Sequence, residues 1–217
     1  MNEKYELTEE FKEIETLRGW LQKIKVYRIR ALRAFADVKI GDLGGFVETK
    51  QNLSNMGNAW VYGDAKVYGN AEVCGDAKVC DNAWVRDNAW VCGDARVCNN
   101  ARVYGNAKVY GNAEVYGDAK VYGNAEVCGD AKVCDNANIF WCSSIGSRHA
   151  TTTMFRNKDN GITVTCGCFM GTLEEFAAIV EKEHGENIFG KEYKLLIELA
   201  KIHFGQDETK GEEENGI

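Results

Sequence analysis

Between Met56 and Trp141 alanine recurs at every sixth residue, from Ala59, Ala65 and Ala71 to Ala137. Valine follows two residues after each, from Val61 to Val133, and Ile139 closes the series. Residues two apart lie on one side of a strand, so every Ala-x-Val unit turns both small side chains the same way, inward. The residue between them points outward and is charged or Trp in nearly every unit, as at Trp60, Lys66, Glu72, Lys78, Trp84 and Trp90. Gly-Asp, Gly-Asn, Asp-Asn and Asn-Asn pairs follow, residue types that tolerate turns and positive φ. Each hexad is therefore one short strand and one corner. A helix is excluded, because a period of six matches no helical stripe and the glycines would be costly.

Three hexads make a coil of 18 residues, and coils stack at about 4.8 Å. The expected architecture is a parallel β-helix. The chain of 217 residues contains no proline, as suits a continuous ladder that needs nearly every backbone N–H. Outward columns follow by adding 18: Tyr62, Cys80, Cys98, Tyr116 and Cys134; Tyr68, Arg86, Tyr104, Tyr122 and Phe140; Cys74, Cys92, Tyr110 and Cys128. They are expected to cover corners or pack between protomers, the alternative being an aromatic wall for a planar ligand. A core of Ala and Val alone is too thin to offset the backbone entropy of ordering. End caps and subunit contacts are expected to supply the rest.

The small-and-aliphatic pattern resembles the hexapeptide repeat of the trimeric acyltransferases, although glycine falls one position later here, after Tyr or Cys. That resemblance implies a left-handed parallel β-helix, a triangular prism, and a homotrimer. Three segments in order, YRIRAL…DVKIGDLGGFVE…NLS, the hexads, and GSRHATTTMFR…GITVTCGCFMGTLEEF, also resemble uncharacterised phage and prophage proteins. This implies a phage-associated origin and carries over no catalytic residue.

The fold class is thus mainly β, with a C-terminal hairpin and two-helix α+β module. Residues 1–55 are expected to form strands and irregular first coils, 56–141 the repeat, 142–205 the hairpin and helices, and 206–217 a disordered acidic tail. SRHATTTMFR and ITVTCGCF read as two strands joined by NKDNG. Thr172 and Glu175 form a capping box opening a helix with an apolar face of Leu173, Phe176, Ile179 and Val180, closed by Gly185. A second helix is expected from about Lys191 to Phe204, with Tyr193, Leu196, Ile197 and Ala200 on one stripe. The basic stretch Lys23, Lys25, Arg28, Arg30 and Arg33 is expected to be a solvated strand face or to pair with the acidic helices. The alternative is an anion-binding strip facing a neighbouring subunit.

A net charge of −7 argues against generic nucleic-acid binding. No run of about 18 apolar residues suits a membrane span. The start MNEKYELTEEFKE is acidic and lacks the apolar stretch of a signal peptide. The expected location is cytoplasmic, where nine cysteines would remain without disulfides. No C-x-x-C occurs, and Cys166 and Cys168, placed on one face of a strand, are expected to pack rather than bind metal. No cofactor or metal is expected.

Three functional classes fit these residues. The favoured one is a non-catalytic binding protein. Ser147, Arg148 and His149, then Thr151, Thr152, Thr153 and Arg156, offer hydroxyls, guanidinium and imidazole to phosphate or ribose oxygens. With the phage resemblance, such a protein would sequester a nucleotide-type host defence signal. An acyltransferase using His149 as general base is the enzymatic alternative. A structural or protein-docking scaffold is the third.

Overall fold

The computed structural model describes residues 3–18, 20–135 and 138–205. The chain divides into two compact units, Met1–Asn136 and Ala137–Ile217. The expectation for residues 206–217 falls outside the described residues.

The first unit is a β-solenoid of about five turns. It opens with two long antiparallel strands, β1 (Tyr5–Arg18) and β2 (Trp20–Ala31), and β3 (Leu43–Val47) pairs antiparallel with β2. On its other edge β3 runs parallel to Lys66–Val67, so the N-terminal sheet continues directly into the solenoid. Thirteen two-residue strands follow, from β4 (Trp60–Val61) to β16 (Lys132–Val133). Those from β4 to β13 each pair in parallel with the strand 18 residues on, giving three ladders that end at β14 (Lys120–Val121), β15 (Glu126–Val127) and β16. Within a ladder Trp84 N donates to Ala101 O at 2.9 Å and Arg86 N to Val103 O at 3.0 Å. Every rung Ala and Val from Ala59 to Val133 is buried.

The corners obey the same period. Gly75 has φ +66, and a Cβ there would lie 2.8 Å from Gly93 N in the next turn, so only glycine fits. Asparagines at one corner form an amide ladder, with Asn70 Nδ2 donating to Asn88, Asn88 to Asn106 and Asn106 to Asn124 at 3.0, 3.0 and 3.1 Å.

Four local outcomes differ from the sequence expectations. Ile139 does not close the series: it opens an antiparallel strand of the second unit, and Lys132–Val133 is the last rung. Trp60, at an outward position, is buried beneath Tyr5 and Phe35, with ring centroids at 6.1 and 5.3 Å. The N-terminal segment caps the first turn there and covers what later turns expose. The basic stretch is a solvated strand face at Lys23, Lys25 and Arg30, exposed on β2 as one of the two expectations had it. Its acids, however, lie on β1 rather than on helices: Arg28 Nε lies 2.8 Å from Glu10 Oε1, and Arg30 pairs with Glu6.

The fourth difference is covalent. Cys74–Cys92 and Cys80–Cys98 are disulfides, against the expectation of reduced thiols. The ladder brings Cα atoms of residues 18 apart to 4.6 Å in both pairs, inside the range a bridge requires. Cys128, Cys134, Cys142, Cys166 and Cys168 lie outside these two disulfides.

Lys4 is fully buried, and its Nζ donates to Ala59 O at 2.9 Å. Burial, and secondarily Arg33, lowers its pKa from 10.5 to about 8, with Asp76 opposing. The unfolded chain therefore binds more protons than the folded one between about pH 8 and 10.5, and this group's contribution to stability rises with pH across that window. In paired melting curves, wild type is expected to gain on Lys4→Met between pH 8 and about 10. A pH-independent difference would contradict the assignment.

The second unit is a four-stranded antiparallel sheet with two helices. Its strands are β17 (Ile139–Ile145), β18 (Ala150–Arg156), β19 (Ile162–Cys166) and β20 (Phe169–Thr172), paired in chain order. The expected hairpin is its centre. Helix α1 (Leu173–His184) starts at the capping box, where Thr172 Oγ1 accepts from Glu175 N and Glu175 Oε2 accepts from Thr172 N. Helix α2 (Ile188–His203) begins three residues before the expected Lys191, because Asn187 Oδ1 caps it by accepting from Gly190 N at 2.9 Å. Met154, Val164, Phe176, Val180, Tyr193 and Leu196 are among the core residues, whereas Ile179, expected on the apolar face of α1, is exposed. Among the described residues no helix is long and apolar enough to cross a membrane.

Candidate ligand site

Two tight turns and two helices of the second unit surround a cavity of about 280 Å³. The first turn, residues 146–149, joins β17 to β18. Gly146 sits at φ +70 and touches α2 so closely that a Cβ would overlap the Tyr193 phenol. Its N–H donates to Glu192 Oε2 at 3.0 Å, which ties the turn to that helix. Ser147 and Arg148 follow at the tip and line the cavity. The second turn is Gly167-Cys168 between β19 and β20, with Gly167 at φ +60. The Arg148 guanidinium lies over it, with Nη1 3.6 Å from the place of a Gly167 Cβ. Cys168 is thus in a turn and not beside Cys166 on a strand face.

The walls divide by chemistry. Phe169, Phe176, Ile179 and Val180 supply an apolar side, and Glu183 and His184 come from the last turn of α1. Tyr193 packs edge-on against Phe176, with centroids at 5.4 Å, and lies 5.7 Å from the His184 ring. The Cys166 sulfur accepts from Thr152 Oγ1 at 3.2 Å and lies 3.7 Å from Tyr193 Oη. Burial pushes the Tyr193 phenol up, with Cys166 adding to the shift, so it is a neutral hydroxyl across the physiological range. The cavity therefore combines the Arg148 guanidinium, the Glu183 carboxylate, the His184 imidazole, the hydroxyls of Ser147 and Tyr193, two cysteines and two phenylalanine rings. Within it the Arg148 guanidinium and the aromatic rings are the groups that suit an anion carried on a planar or apolar body, while Glu183 places a carboxylate in the same lining.

Only part of the expected site gathers here. Ser147 and Arg148 line the cavity. His149 is exposed in the left-handed region at φ 47, its N–H closing the turn onto Gly146 O. Thr151 shares a hydrogen bond of 2.9 Å with Ser143, and Thr152 and Thr153 are buried in β18. Arg156 points to the end of α2, donating to Phe204 O at 2.6 Å and Asn160 O at 2.9 Å. Its role is to cap a helix.

Phe169, Phe176, Glu183, His184 and Tyr193 were not legible as site residues. Phe176 and Tyr193 carry the signal of core positions on amphipathic helices, which they also are. The usable hint was the polar pair Glu183-His184 just before the Gly185 turn, where a helix closing over a hairpin presents its last turn to the loops.

Among the curated proteins none matches the chain. Residues 95–111, inside the solenoid, match the family described as YdcK Beta solenoid repeat, and to that extent the chain is similar to a β-solenoid repeat protein.

Proposed function

We propose that this chain is a phage-derived, non-catalytic binding protein that sequesters a nucleotide-type host defence signal in the cytoplasm. The observation that carries the reading is Arg148, with Ser147, at the mouth of a cavity walled by Phe169 and Phe176. A guanidinium takes phosphate oxygens in a forked, charge-assisted pair, and an aromatic wall takes a base or another planar group. A volume of about 280 Å³ is at the lower end for ligand pockets, so it accommodates one base or one ribose phosphate of a larger ligand. Sequestration needs affinity and abundance, not a catalytic group. The acyltransferase alternative lacks comparable support, since His149 is exposed in its turn and does not line the cavity.

The finer fold reading belongs to the same proposal: a left-handed, three-sided hexapeptide-repeat helix assembled as a homotrimer. The period of 18 residues and the three ladders support the three-sided coil. Exposed Ile188, Leu195, Leu199 and Ile202 along α2 support contacts between copies of the chain.

Calorimetry with cyclic dinucleotides and with ADP-ribose derivatives tests the binding reading. A saturable heat is expected with one of them, together with a rise in melting temperature. Arg148→Glu is expected to weaken it by about 10–100-fold, from the roughly 1.5–3 kcal/mol of a charged hydrogen bond. No heat and no thermal shift with either class would overturn the assignment.

A further inference from the structure

We propose that Cys80, Cys98 and Asp81 form a binding site for a thiophilic divalent cation of the zinc class when the Cys80–Cys98 disulfide is reduced. The site lies in the solenoid, apart from the cavity of the second unit, and does not depend on the nucleotide reading. The two sulfur atoms and a carboxylate oxygen of Asp81 all lie within 4.8 Å of one another. Both cysteines are half-buried and the aspartate is exposed, so the group opens to solvent on one side.

The second disulfide supplies the contrast. Cys74–Cys92 has the same spacing of 18 residues and the same Cα separation of 4.6 Å. It is followed at both corners by glycine, Gly75 and Gly93. After Cys80 the corner residue is Asp81, held at φ 60, a conformation that costs a non-glycine residue about 1 kcal/mol or more. In that conformation Asp81 Oδ2 accepts from Asn99 N at 3.0 Å and from Asn99 Nδ2 at 3.3 Å. Those bonds orient the carboxylate as outer partners orient a metal ligand.

Charge and space agree with a cation. Two thiolates and a carboxylate carry more than enough charge for a divalent ion, and Cys98 borders a cavity of about 240 Å³ that Arg96 and Glu114 also line. Two sulfurs and one oxygen leave a fourth tetrahedral position open for water or an incoming ligand. Opening the site is a thiol–disulfide exchange. Two molecules of a small thiol reductant become one disulfide, and Cys80 and Cys98 each receive one hydrogen. Metal binding then releases both thiol protons. The same residues thus exist either as a covalent staple or as a metal site, according to the thiol reductant present.

The test uses the full chain, reduced with a phosphine and titrated with Co²⁺, then Zn²⁺. One Co²⁺ per chain is expected, with a thiolate-to-cobalt charge-transfer absorption that Zn²⁺ abolishes by displacement. The oxidised protein is expected to show no such band. Cys98→Ser should lose it, and Asp81→Asn should weaken Co²⁺ binding by at least about tenfold, the lower range for losing even an outer partner. Cys92→Ser, which breaks only the other pair, should retain both the band and its affinity. Circular dichroism on each variant confirms that the solenoid is intact. The proposal fails if the reduced wild type, with its thiols shown to be free by a thiol reagent, gives no band. It fails equally if Cys92→Ser loses the band while Cys98→Ser keeps it, or if Asp81→Asn binds as tightly as wild type.

Discussion

Val109→Asp is expected to unfold the solenoid, whereas Lys108→Asp, one residue away, is expected to be nearly silent. The Val109 side chain is fully buried, stacked between Val91 and Val127 of the turns before and after. A carboxylate there has no cation within the Ala and Val column, and an unpaired buried ion costs several kcal/mol. Because each turn rests on its neighbours, the loss propagates along the stack instead of staying local. A fall in melting temperature of more than about 10 °C is expected for a chain of this size, or the loss of a cooperative transition. Lys108 is exposed and pairs with Glu126 at 3.3 Å, an arrangement worth about 0–1 kcal/mol. Melting temperatures within about 2 °C of each other for the two variants would show that the Ala-x-Val column is not the core.

Reducing both disulfides in a chelating buffer is expected to lower the melting temperature by about 10–20 °C. Each bridge joins residues 18 apart, and a loop of that size restricts the unfolded chain by about 3 kcal/mol. A chain of this length shifts by about 2–4 °C per kcal/mol. The loops 74–92 and 80–98 overlap, so their effects add to less than twice one bridge. A variant carrying Cys74→Ser, Cys80→Ser, Cys92→Ser and Cys98→Ser should melt near the reduced wild type with or without reductant. Equal melting temperatures for oxidised and reduced wild type would mean that the bridges do not form in solution.

Legibility from sequence followed the range of the interaction involved. The Ala-x-Val rungs and their corners depend on strand alternation and local turn chemistry, and the ladders run as the period requires from Trp60 to Val133. The capping box at Thr172 and Glu175 is equally local and stands as expected. Strands were expected within residues 1–55, but the bounds and pairing of β1 were not legible. Its outward Glu and Lys residues carry little alternation, and it is held by pairing with β2, as at Glu13 opposite Lys25. At the candidate site, Ser147 and Arg148 were recognisable because polar residues in a turn are exposed. His149 and Arg156 were grouped with them as polar side chains of one hairpin, and only the turn geometry and the end of α2 place them away from the cavity.

The sequence by itself determined that the middle of this chain coils with three strands per turn and buries Ala and Val on one side. That information repeats every six residues and needs no distant partner. Only the tertiary structure decided which columns become bonds. The spacing of 18 put Cys74 beside Cys92 and Cys80 beside Cys98, while an argument from cellular redox state predicted free thiols; contact between stacked side chains, not compartment, settled their pairing. The tertiary structure also decided where the solenoid stops. Ile139 continues the repeat in sequence, yet it pairs antiparallel with Phe155 of β18, because a seven-residue strand gains more ladder bonds there than one further two-residue rung would offer.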